Sequence, residues 1–431
     1  MSKYLEIVGS LPLKGQVKIG GAKNAALPQL MAVLLTGEKC TFQNVPNLED
    51  ITITLHLLEH FGAQIDRQAG SLSVQIEQLS VLDASYTLVK ALRASFWVLA
   101  PLLARGRAAR VALPGGDIIG ARPVDMHLES LTKMGADIQV KHGVVFAAAK
   151  HGLRPAEIDF RFPSVGATHQ IIMAAALTPG TTVIRGAARE PEVVALADMI
   201  NQMGGDVEGA GEPVIIIRGK ENLGAADVKL IGDRIEAGTY LLAAAVSGGS
   251  IKAQGIRPEY LGKFTDILEQ AGLKIEKGED YISLDSSNGL KAVDISTGPF
   301  PEFPTDLQAP LMAALCFAQG TSRIEENIFE GRFGHVSELC RMGADIKVND
   351  RAALINSGTG SKMSGAEVEG MDIRAAAALV IAALGCDGKS IIGEIQHLRR
   401  GYENLEAKLS ALGAKVGCKI RDPEDYIFSG C

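Results

Sequence analysis

Apolar and polar positions follow one pattern that recurs six times along the chain. In each copy, a segment with apolar residues at helical spacing, such as LESLTKMG, ends in a glycine and runs into an alternating segment such as ADIQV. Glycine after the last apolar turn is typical of a helix C-cap because it adopts positive φ at little cost, and the period-two alternation indicates a strand. The glycines recur about every 70 residues. They are Gly62, Gly135, Gly204, Gly272, Gly343 and Gly413.

A second recurring phrase predicts a buried helix followed by a strand. Copies such as MAAALTPGTTVIRGA and LAAAVSGGSIKAQGI join an Ala- and Leu-rich segment to a glycine turn and a run rich in β-branched residues. The pattern therefore predicts an α/β protein of six repeats. One core rarely accommodates so many units, so we expect two domains of three repeats, with the midpoint between Asp227 and Arg234. A solenoid is the alternative, although solenoid repeats are usually shorter.

Composition and charge narrow the function classes. The 431 residues carry a formal net charge of −7, which disfavours a general nucleic-acid surface and requires any anion site to be a local basic cluster. The longest apolar runs are too short to span a bilayer, and no apolar leader stands near the start. Six scattered cysteines without a CxxC pair favour a reducing cytoplasm. No histidine ligand pair and no dinucleotide fingerprint is present, so we expect neither a metal nor a cofactor.

A glycine- and proline-rich loop is the sharpest local signal. The segment LPGGDIIGARPVD, residues 113–125, predicts a mobile surface loop rather than the interior of a helix or strand. It carries Asp117 and Arg122, so a loop that closes over a ligand would bring an acid and a cation with it. A turn with two solvated charges is the alternative.

Two further segments combine a helix start with charged side chains. In KIGGAKNAALP, paired glycines lead into a helix predicted to begin near Lys23 or Asn24, where backbone N–H groups and a lysine favour an anion. In FPTDLQAPLMAAL, Thr305 and Asp306 precede an apolar helix. Asp306 either caps that helix or acts as a base.

Several arginines also stand at places that favour an anion. Arg93 and Arg374 begin apolar helices, where a cation opposes the helix macrodipole and a bound anion would offset it. A surface ion pair is the alternative for each of them. If these two, with Arg332 and Arg400, converged with Lys23 and Arg122, they would suit a small, highly charged ligand such as a phosphorylated carboxylic acid.

As a set, the motifs resemble those of the UDP-N-acetylglucosamine 1-carboxyvinyltransferases, the enolpyruvyl transferases of peptidoglycan synthesis. The resemblance runs in order from about Leu5 to Gly417 and rests on GGAKNAALP, KALRASFW, LPGGDIIGARPVD, SVGAT, AAREPE, FPTDLQAP, GRFGHV, DIRAAAALV and RRGYE. It implies two inside-out α/β barrels of three repeats each, formed by residues 1–22 with 232–431 and by residues 23–231. It also implies transfer of the enolpyruvyl group of phosphoenolpyruvate to the 3-hydroxyl of UDP-N-acetylglucosamine, the first committed step of peptidoglycan synthesis.

The resemblance assigns roles to individual residues. Asp117 matches the proton donor on the mobile loop, and Asp306 matches the carboxylate that accepts the proton of the sugar 3-hydroxyl. The residues that match phosphoenolpyruvate contacts are Lys23, Asn24, Arg122, Arg332, Arg374 and Arg400, of which Lys23 and Arg400 also count as catalytic. The residues that match contacts to the UDP-sugar are Arg93, Arg122, Pro123, Val124, Asp125, Met126, Ser164, Val165, Gly166, Asp306 and Ile328.

Two positions depart from the family pattern. Asp117 stands where most members have cysteine and a minority have aspartate, which predicts insensitivity to the epoxide fosfomycin, because a carboxylate is a poorer nucleophile than a thiolate. Phe162 stands where some members have lysine, and Arg161 beside it is the nearest cation. Two alternatives stay open: transfer to shikimate 3-phosphate, on the same fold class, and a non-catalytic paralogue that binds the nucleotide sugar as a regulator.

Overall fold

The computed structural model describes residues 3–68, 70–115, 119–357 and 363–420. The chain divides into two compact units. The first unit contains Met1–Gly20, Ile118–Ala121 and Gly232–Cys431, and the second contains Gly21–Asp117 and Arg122–Ile231.

Strands and helices are interspersed along the described ranges. The strands are β1 (Lys3–Val8), β2 (Lys14–Lys18), β3 (Cys40–Gln43), β4 (Gln64–Gln68), β5 (Ser71–Gln75), β6 (Asp83–Ala84), β7 (Ala108–Ala112), β8 (Asp137–Lys141), β9 (Val144–Ala148), β10 (Glu157–Asp159), β11 (Gly180–Arg185), β12 (Val207–Glu208), β13 (Val214–Gly219), β14 (Asp227–Lys229), β15 (Ser250–Gln254), β16 (Lys274–Lys277), β17 (Tyr281–Asp285), β18 (Ile295–Ser296), β19 (Gly320–Glu325), β20 (Asp345–Asn349), β21 (Ala352–Ser357), β22 (Glu367–Glu369), β23 (Lys389–Gly393) and β24 (Lys415–Ile420).

The helices include α-helices and four short 3-10 helices. The α-helices are α1 (Lys23–Ala32), α2 (Glu49–His60), α3 (Tyr86–Val89), α4 (Leu99–Gly106), α5 (Asp125–Lys133), α6 (Val165–Ala176), α7 (Pro191–Gln202), α8 (Arg234–Val246), α9 (Phe264–Gln270), α10 (Gln308–Leu315), α11 (Val336–Arg341), α12 (Ile373–Gly385), α13 (Gln396–Arg399) and α14 (Leu405–Ala411). The 3-10 helices are Val33–Leu35, Arg93–Val98, Pro258–Leu261 and Thr305–Leu307.

Across the described ranges, six four-stranded sheets share one topology. Those of the first unit have the orders β22-β23-β1-β24, β16-β17-β15-β2 and β18-β19-β21-β20. Those of the second unit have the orders β10-β11-β13-β12, β14-β3-β5-β4 and β6-β7-β9-β8. Each sheet contains one parallel pair at an edge and two antiparallel pairs. This repetition confirms the prediction of six α/β repeats, three in each unit.

The six recurrent glycines end their helices as the pattern predicts. Each lies two residues beyond the last residue of α2, α5, α7, α9, α11 or α14, and each has a φ between +88° and +101°. Residues with a Cβ are disfavoured in this left-handed region, so glycine at this position lets the chain leave the helix and enter the next strand.

Each unit has its own apolar core around Ala-rich helices that are buried on nearly every side. In the first unit, α8, α10 and α12 pack against one another, and their alanines permit a close approach. In the second unit, α4 and α6 pack together in the same way. A helix that is apolar all round is buried in the core. Polar groups on such a helix are therefore expected at its ends, in the first turn. No helix in the described ranges combines the length and apolar character needed to cross a membrane.

Candidate functional site

In the first unit, two arginines converge on the carboxylate of Asp306. Asp306 lies in the 3-10 turn Thr305–Leu307, which leads directly into α10. Its Oδ1 accepts a hydrogen bond from Nη2 of Arg332 at 2.8 Å, and its Oδ2 accepts one from Nη2 of Arg374 at 3.0 Å. The side chains of the two arginines are 4% and 9% exposed, whereas that of Asp306 is 28% exposed. The capping alternative for Asp306 is wrong, because α10 has Leu307 as its N-cap and no side-chain cap.

Arg374 is oriented by the start of its helix and by a buried tyrosine. Asp372 caps α12, since its Oδ1 accepts hydrogen bonds from the backbone N–H groups of Arg374 at 2.8 Å and of Ala375 at 3.0 Å. Nη1 of Arg374 donates to Oη of Tyr402 at 3.2 Å. Burial works against the charged guanidinium, but Asp306, Tyr402 and Asp233 together outweigh it and raise the pKa of Arg374 above its ordinary value. Arg374 is therefore a fixed, permanent cation.

Arg332 has one buried donor, its Nε, without a hydrogen-bond partner among the described residues. The ring of Phe329 lies 5.5 Å from its guanidinium carbon. Behind it, Nε2 of His335 lies 3.2 Å from Sδ of Met312. Burial, aided by the charge of Arg332, lowers the pKa of His335 to about 4, so this histidine is neutral.

Two other predicted residues of the first unit lie near these groups in the sequence. Arg400 is half-buried and follows α13, two residues before the buried Tyr402. Ile328 is half-buried and lies on a turn in which its N–H donates to Oε1 of Glu326 at 2.8 Å. Among the predicted residues of the first unit, Arg332 and Arg374 are in direct contact with Asp306.

In the second unit, Lys23 forms a buried ion pair at the start of α1. Its Nζ donates to Oδ2 of Asp50 at 3.0 Å, and the two side chains are 9% and 1% exposed. Lys23 is the first residue of α1, and Asp50 lies in the first turn of α2. Asn24, the second residue of α1, is half-buried. The helix begins where the sequence predicted, and Asp50 holds the lysine at that end.

Arg93 binds the end of the glycine-rich loop. Its Nη2 donates to the backbone carbonyl of Arg122 and to that of Pro123, the latter at 3.4 Å. Burial, together with the charge of Arg122, lowers the pKa of Arg93 to about 10. Arg122 has a φ of 44°, a left-handed conformation that is uncommon and costly for a residue with a side chain. This segment therefore holds two cations close together, an arrangement that favours an anion.

The rest of the predicted loop is partly described. Asp117 lies outside the described residues. The carbonyl of Ile119 accepts a hydrogen bond at 3.0 Å from the N–H of Gly331, beside Arg332. The irregular segment ends at Val124, one residue before the predicted boundary, because Asp125 begins α5 and Met126 follows it.

The start of α6 carries the second group of residues matched to the UDP-sugar. Ser164 caps the helix, since its Oγ accepts a hydrogen bond from the N–H of Ala167 at 3.3 Å, and Val165 is the first helical residue. A Cβ on Gly166 would lie 3.1 Å from Cε1 of His127 and 3.2 Å from Nε1 of Trp97. Glycine therefore keeps this first turn clear of a side chain.

Two buried histidines support the start of α6. Nδ1 of His127 shares a hydrogen bond with Oε1 of Gln170, and the ring of His169 packs edge-on against Trp97 at 5.1 Å. Burial lowers the pKa of each histidine to about 4, so both are neutral. His127 is held by its hydrogen bond to Gln170, and Trp97 packs against the core.

Arg161 makes surface ion pairs. Its guanidinium contacts Oδ2 of Asp125, and its Nη1 lies 3.2 Å from Oε2 of Glu129. The side chain of Arg161 is 54% exposed. Asp125 therefore pairs with Arg161, the residue just before Phe162. Phe162 is the position that is lysine in some members of the family that the sequence resembles.

Sequence reasoning missed Asp50, Tyr402 and Glu326. Asp50 reads as an ordinary acidic residue in the first turn of a helix, and Tyr402 reads as an apolar residue in RRGYE. Glu326 stands in the mixed run SRIEENIF, which carries no periodic signal. Each acts through a partner that is distant along the chain, so no local pattern could identify it. Among the described residues, no group of three or more His, Cys, Asp and Glu side chains is arranged to hold a metal ion.

Comparisons with known proteins agree with these features. The family model of EPSP synthase (3-phosphoshikimate 1-carboxyvinyltransferase) matches residues 7–409. A UDP-N-acetylglucosamine 1-carboxyvinyltransferase of Trichlorobacter lovleyi is 47% identical over 412 residues, which cover 96% of this chain and 98% of the relative. A protein of the same name from Pseudoalteromonas atlantica is 48% identical over 419 residues, covering 96% of this chain and 99% of the relative.

Solved structures share the fold. The enolpyruvyl transferase NikO from Streptomyces tendae superposes with a TM-score of 0.88 at 24% identity and covers 98% of this chain and 100% of its own. EPSP synthase from Acinetobacter baumannii gives a TM-score of 0.75 at 18% identity, with 97% and 100% coverage. These similarities confirm the predicted fold class.

Proposed function

The chain belongs to the EPSP synthase (3-phosphoshikimate 1-carboxyvinyltransferase) family and is a carboxyvinyl transferase, and from this premise we propose its substrates. It transfers the enolpyruvyl group of phosphoenolpyruvate to the 3-hydroxyl of UDP-N-acetylglucosamine and releases phosphate. The observation that carries the proposal is the pair of nearly buried arginines on the partly exposed carboxylate of Asp306. The names of relatives at 47% and 48% identity support the nucleotide sugar over shikimate 3-phosphate as the acceptor.

Phosphoenolpyruvate is a small anion with two acidic groups, and it needs cations in two places. Arg332 and Arg374 bind its carboxylate, a role supported by their burial and by the unpartnered Nε of Arg332. Planar guanidinium groups suit a carboxylate because they donate two parallel hydrogen bonds. The phosphate is bound by Lys23, Asn24, Arg122 and Arg400.

The nucleotide sugar is bound by backbone N–H groups and by charged and neutral side chains. The first turn of α6 offers N–H groups to its diphosphate, and Gly166 lets His127 and Trp97 pack closely against that turn. Arg93 and the segment from Arg122 to Met126 contribute further contacts. In the first unit, Ile328 and Asp306 contact the sugar, with Asp306 next to the hydroxyl that reacts.

The reaction proceeds by addition and elimination. Asp306 accepts the proton of the sugar 3-hydroxyl, the sugar oxygen bonds to C2 of phosphoenolpyruvate, and Asp117 donates a proton to the methylene carbon C3. The resulting phosphorylated ketal loses a proton from C3 while the bond between C2 and the phosphate oxygen breaks. The double bond is thereby restored, and phosphate leaves. The arginines stabilise the negative charge as it shifts toward the phosphate.

Asp117 must be protonated to act as the acid. A free aspartate titrates near a pKa of ~3.9, so removal from water has to raise the pKa of Asp117 before it can donate at neutral pH. Any arginine that binds the same substrate close to Asp117 would oppose that rise. The same carboxyl group replaces the thiol that fosfomycin alkylates, so the enzyme is insensitive to that epoxide.

The product fits a role in cell-wall biogenesis. An enolpyruvyl ether of UDP-N-acetylglucosamine is a precursor of peptidoglycan, which ties the reaction to cell shape and cell division. Its substrates are cytoplasmic metabolites, and the free cysteines that the structure describes suit the same compartment.

Phosphate release tests the proposal. The wild-type chain is incubated with phosphoenolpyruvate and, in separate reactions, with UDP-N-acetylglucosamine, with shikimate 3-phosphate or with no acceptor. Release only with the nucleotide sugar is the expected result. Release only with shikimate 3-phosphate would replace the acceptor, and binding of the nucleotide sugar without any release would indicate a regulatory paralogue.

A further inference from the structure

Glu326 is a fully buried carboxylate whose partners are neutral groups. It follows β19 directly and has no exposed surface. Its Oε1 accepts hydrogen bonds from Oγ1 of Thr297 at 2.9 Å and from the N–H groups of Ile328 at 2.8 Å and Phe329 at 3.1 Å. Its Oε2 accepts one from Oγ1 of Thr305 at 3.0 Å. Four donors therefore compensate the removal of this carboxylate from water.

These hydrogen bonds join three segments of the first unit. Thr297 follows the short strand β18, Thr305 begins the turn that carries Asp306, and residues 326–329 form the turn that carries Ile328. Thr297 is itself fixed, since its Oγ1 accepts the N–H of Asn327 at 2.9 Å. A single side chain thus links the two turns that carry Asp306 and Ile328 to a common strand end.

The link to Asp306 is short and direct. Thr305 and Asp306 are consecutive residues of one 3-10 turn, so the hydrogen bond from Thr305 to Glu326 fixes the backbone from which the Asp306 side chain extends. The other end of Asp306, its carboxylate, is fixed by Arg332 and Arg374. The position of the proposed base is therefore set from both ends.

A role in folding alone does not account for this arrangement. A well-packed apolar side chain fills a buried site at less cost than a carboxylate, which must be fully hydrogen-bonded to be tolerated. Here three of the four donors come from the two turns whose residues are proposed to contact the acceptor sugar, and the fourth, Thr297, comes from the end of β18. Because one oxygen of the carboxylate binds the turn of Thr305 and the other binds the turn of Ile328, the side chain fixes the distance between the two turns.

We propose that Glu326 is a positioning residue for the acceptor. It holds the turn of Asp306 and the turn of Ile328 in the spacing that lets both contact the same sugar. The inference rests on the proposed function, because both turns are assigned to the nucleotide sugar there.

Three variants separate positioning from folding. Glu326→Ala removes all four hydrogen bonds. Glu326→Gln keeps them, because its amide oxygen accepts the three donors on Oε1 and its amide N–H can donate to the hydroxyl of Thr305 after that hydroxyl rotates. The matched control is Glu325→Ala, which removes the neighbouring glutamate, a side chain that is 38% exposed and pairs with Arg323 at the surface.

Steady-state kinetics with UDP-N-acetylglucosamine and phosphoenolpyruvate give the readout. For Glu326→Ala we expect kcat/KM for the nucleotide sugar to fall about 100-fold, since a misplacement of about 1 Å costs that much, while KM for phosphoenolpyruvate changes much less. Glu326→Gln and Glu325→Ala should stay within about threefold of the wild type. Wild-type kinetics in Glu326→Ala, or a Glu326→Gln variant as impaired as Glu326→Ala, would overturn the proposal.

A second pair of variants keeps the test valid if Glu326→Ala fails to fold. Thr305→Val removes only the hydroxyl that reaches Glu326, and Thr305→Ser keeps it. We expect the same selective loss toward the nucleotide sugar in the valine variant and near-normal kinetics in the serine variant; equal kinetics in the two would contradict the proposal. Activity of the wild-type chain with this sugar is measured first, so a failure of the proposed function is seen before any variant is compared.

Discussion

Arg374 donates a hydrogen bond to Asp306 at 3.0 Å, although the two residues are 68 positions apart in the sequence. Arg332 binds the other oxygen of the same carboxylate. The proposed base is thus held by the cations that are proposed to bind the substrate carboxylate. In the proposed mechanism, the carboxylate of phosphoenolpyruvate shares those donors, which leaves Asp306 freer to accept a proton.

Replacement of Asp306 should remove the base with little change to its surroundings. We expect Asp306→Asn to lower kcat by about 10²- to 10⁴-fold, because an amide cannot accept the hydroxyl proton. The measurement is kcat for phosphate release at saturating substrates. Asp294→Asn is the control, since Asp294 is exposed and its Oδ1 acceptor is retained in asparagine. A kcat for Asp306→Asn equal to that of the control would refute the assignment.

Replacement of Asp117 should abolish turnover while both substrates still bind. Asparagine has nearly the same shape as aspartate but cannot donate a proton to the methylene carbon. Binding is measured by thermal shift with each substrate, and turnover by phosphate release. Full turnover in Asp117→Asn would show that another group is the acid.

Fosfomycin should leave the wild-type enzyme active. The carboxylate of Asp117 attacks the epoxide poorly, whereas Asp117→Cys presents a thiolate and should show time-dependent inactivation. Residual activity is followed against incubation time, and the modified peptide is identified by mass spectrometry. Covalent labelling of Asp117 in the wild type is the result that would contradict this prediction.

The ion pair of Lys23 and Asp50 should matter for the stability of the second unit. Removing the carboxylate of Asp50 takes away a charge that compensates the buried Lys23, so we expect Asp50→Ala to lower the free energy of unfolding by about 3–5 kcal/mol. The control is Glu302→Ala, which breaks an ion pair with Lys263 at 2.6 Å whose side chains are 55% and 49% exposed and should cost about 1 kcal/mol or less. Urea unfolding measures both, and equal losses would argue against a special role for the buried pair.

Buried histidines should make the protein less stable in acid. The pKa of His335 is about 4 in the folded chain and 6.5 as its ordinary value, so between these pH values the unfolded chain binds a proton that the folded chain does not. The free energy of unfolding is therefore fully retained above pH 6.5 and declines toward pH 4, by up to about 1.4 kcal/mol per pH unit for this residue. His127 and His169 add declines of the same sign.

A variant tests the contribution of His335 directly. The charged groups that act on it are Asp372, which favours its protonation, and Arg332, which disfavours it. His335→Gln should show a shallower fall in the free energy of unfolding between pH 6.5 and pH 4, while the exposed His151→Gln should match the wild type. Parallel curves for all three proteins would contradict the prediction.

Most of the local structure could be predicted from the sequence. The glycines that end six helices, the helix that begins at Lys23 and the α/β repeats follow from patterns within a few residues. For the site, the sequence singled out Asp306 and Arg374 but left open whether Asp306 caps a helix and whether Arg374 forms a surface pair. Those alternatives depend on which distant side chains are neighbours, and periodicity carries no such information.

The sequence alone determined the repeat, the helix ends and the strands, because hydrophobic periodicity and glycine conformation act between residues close along the chain. Only the tertiary structure decided which charges meet: Asp50 with Lys23, Arg332 and Arg374 with Asp306, and four neutral donors with Glu326. These contacts form when helices, turns and strand ends that are separate along the chain pack against one another. Packing selects partners by distance and shape, and neither is encoded by the local pattern around any one of these residues.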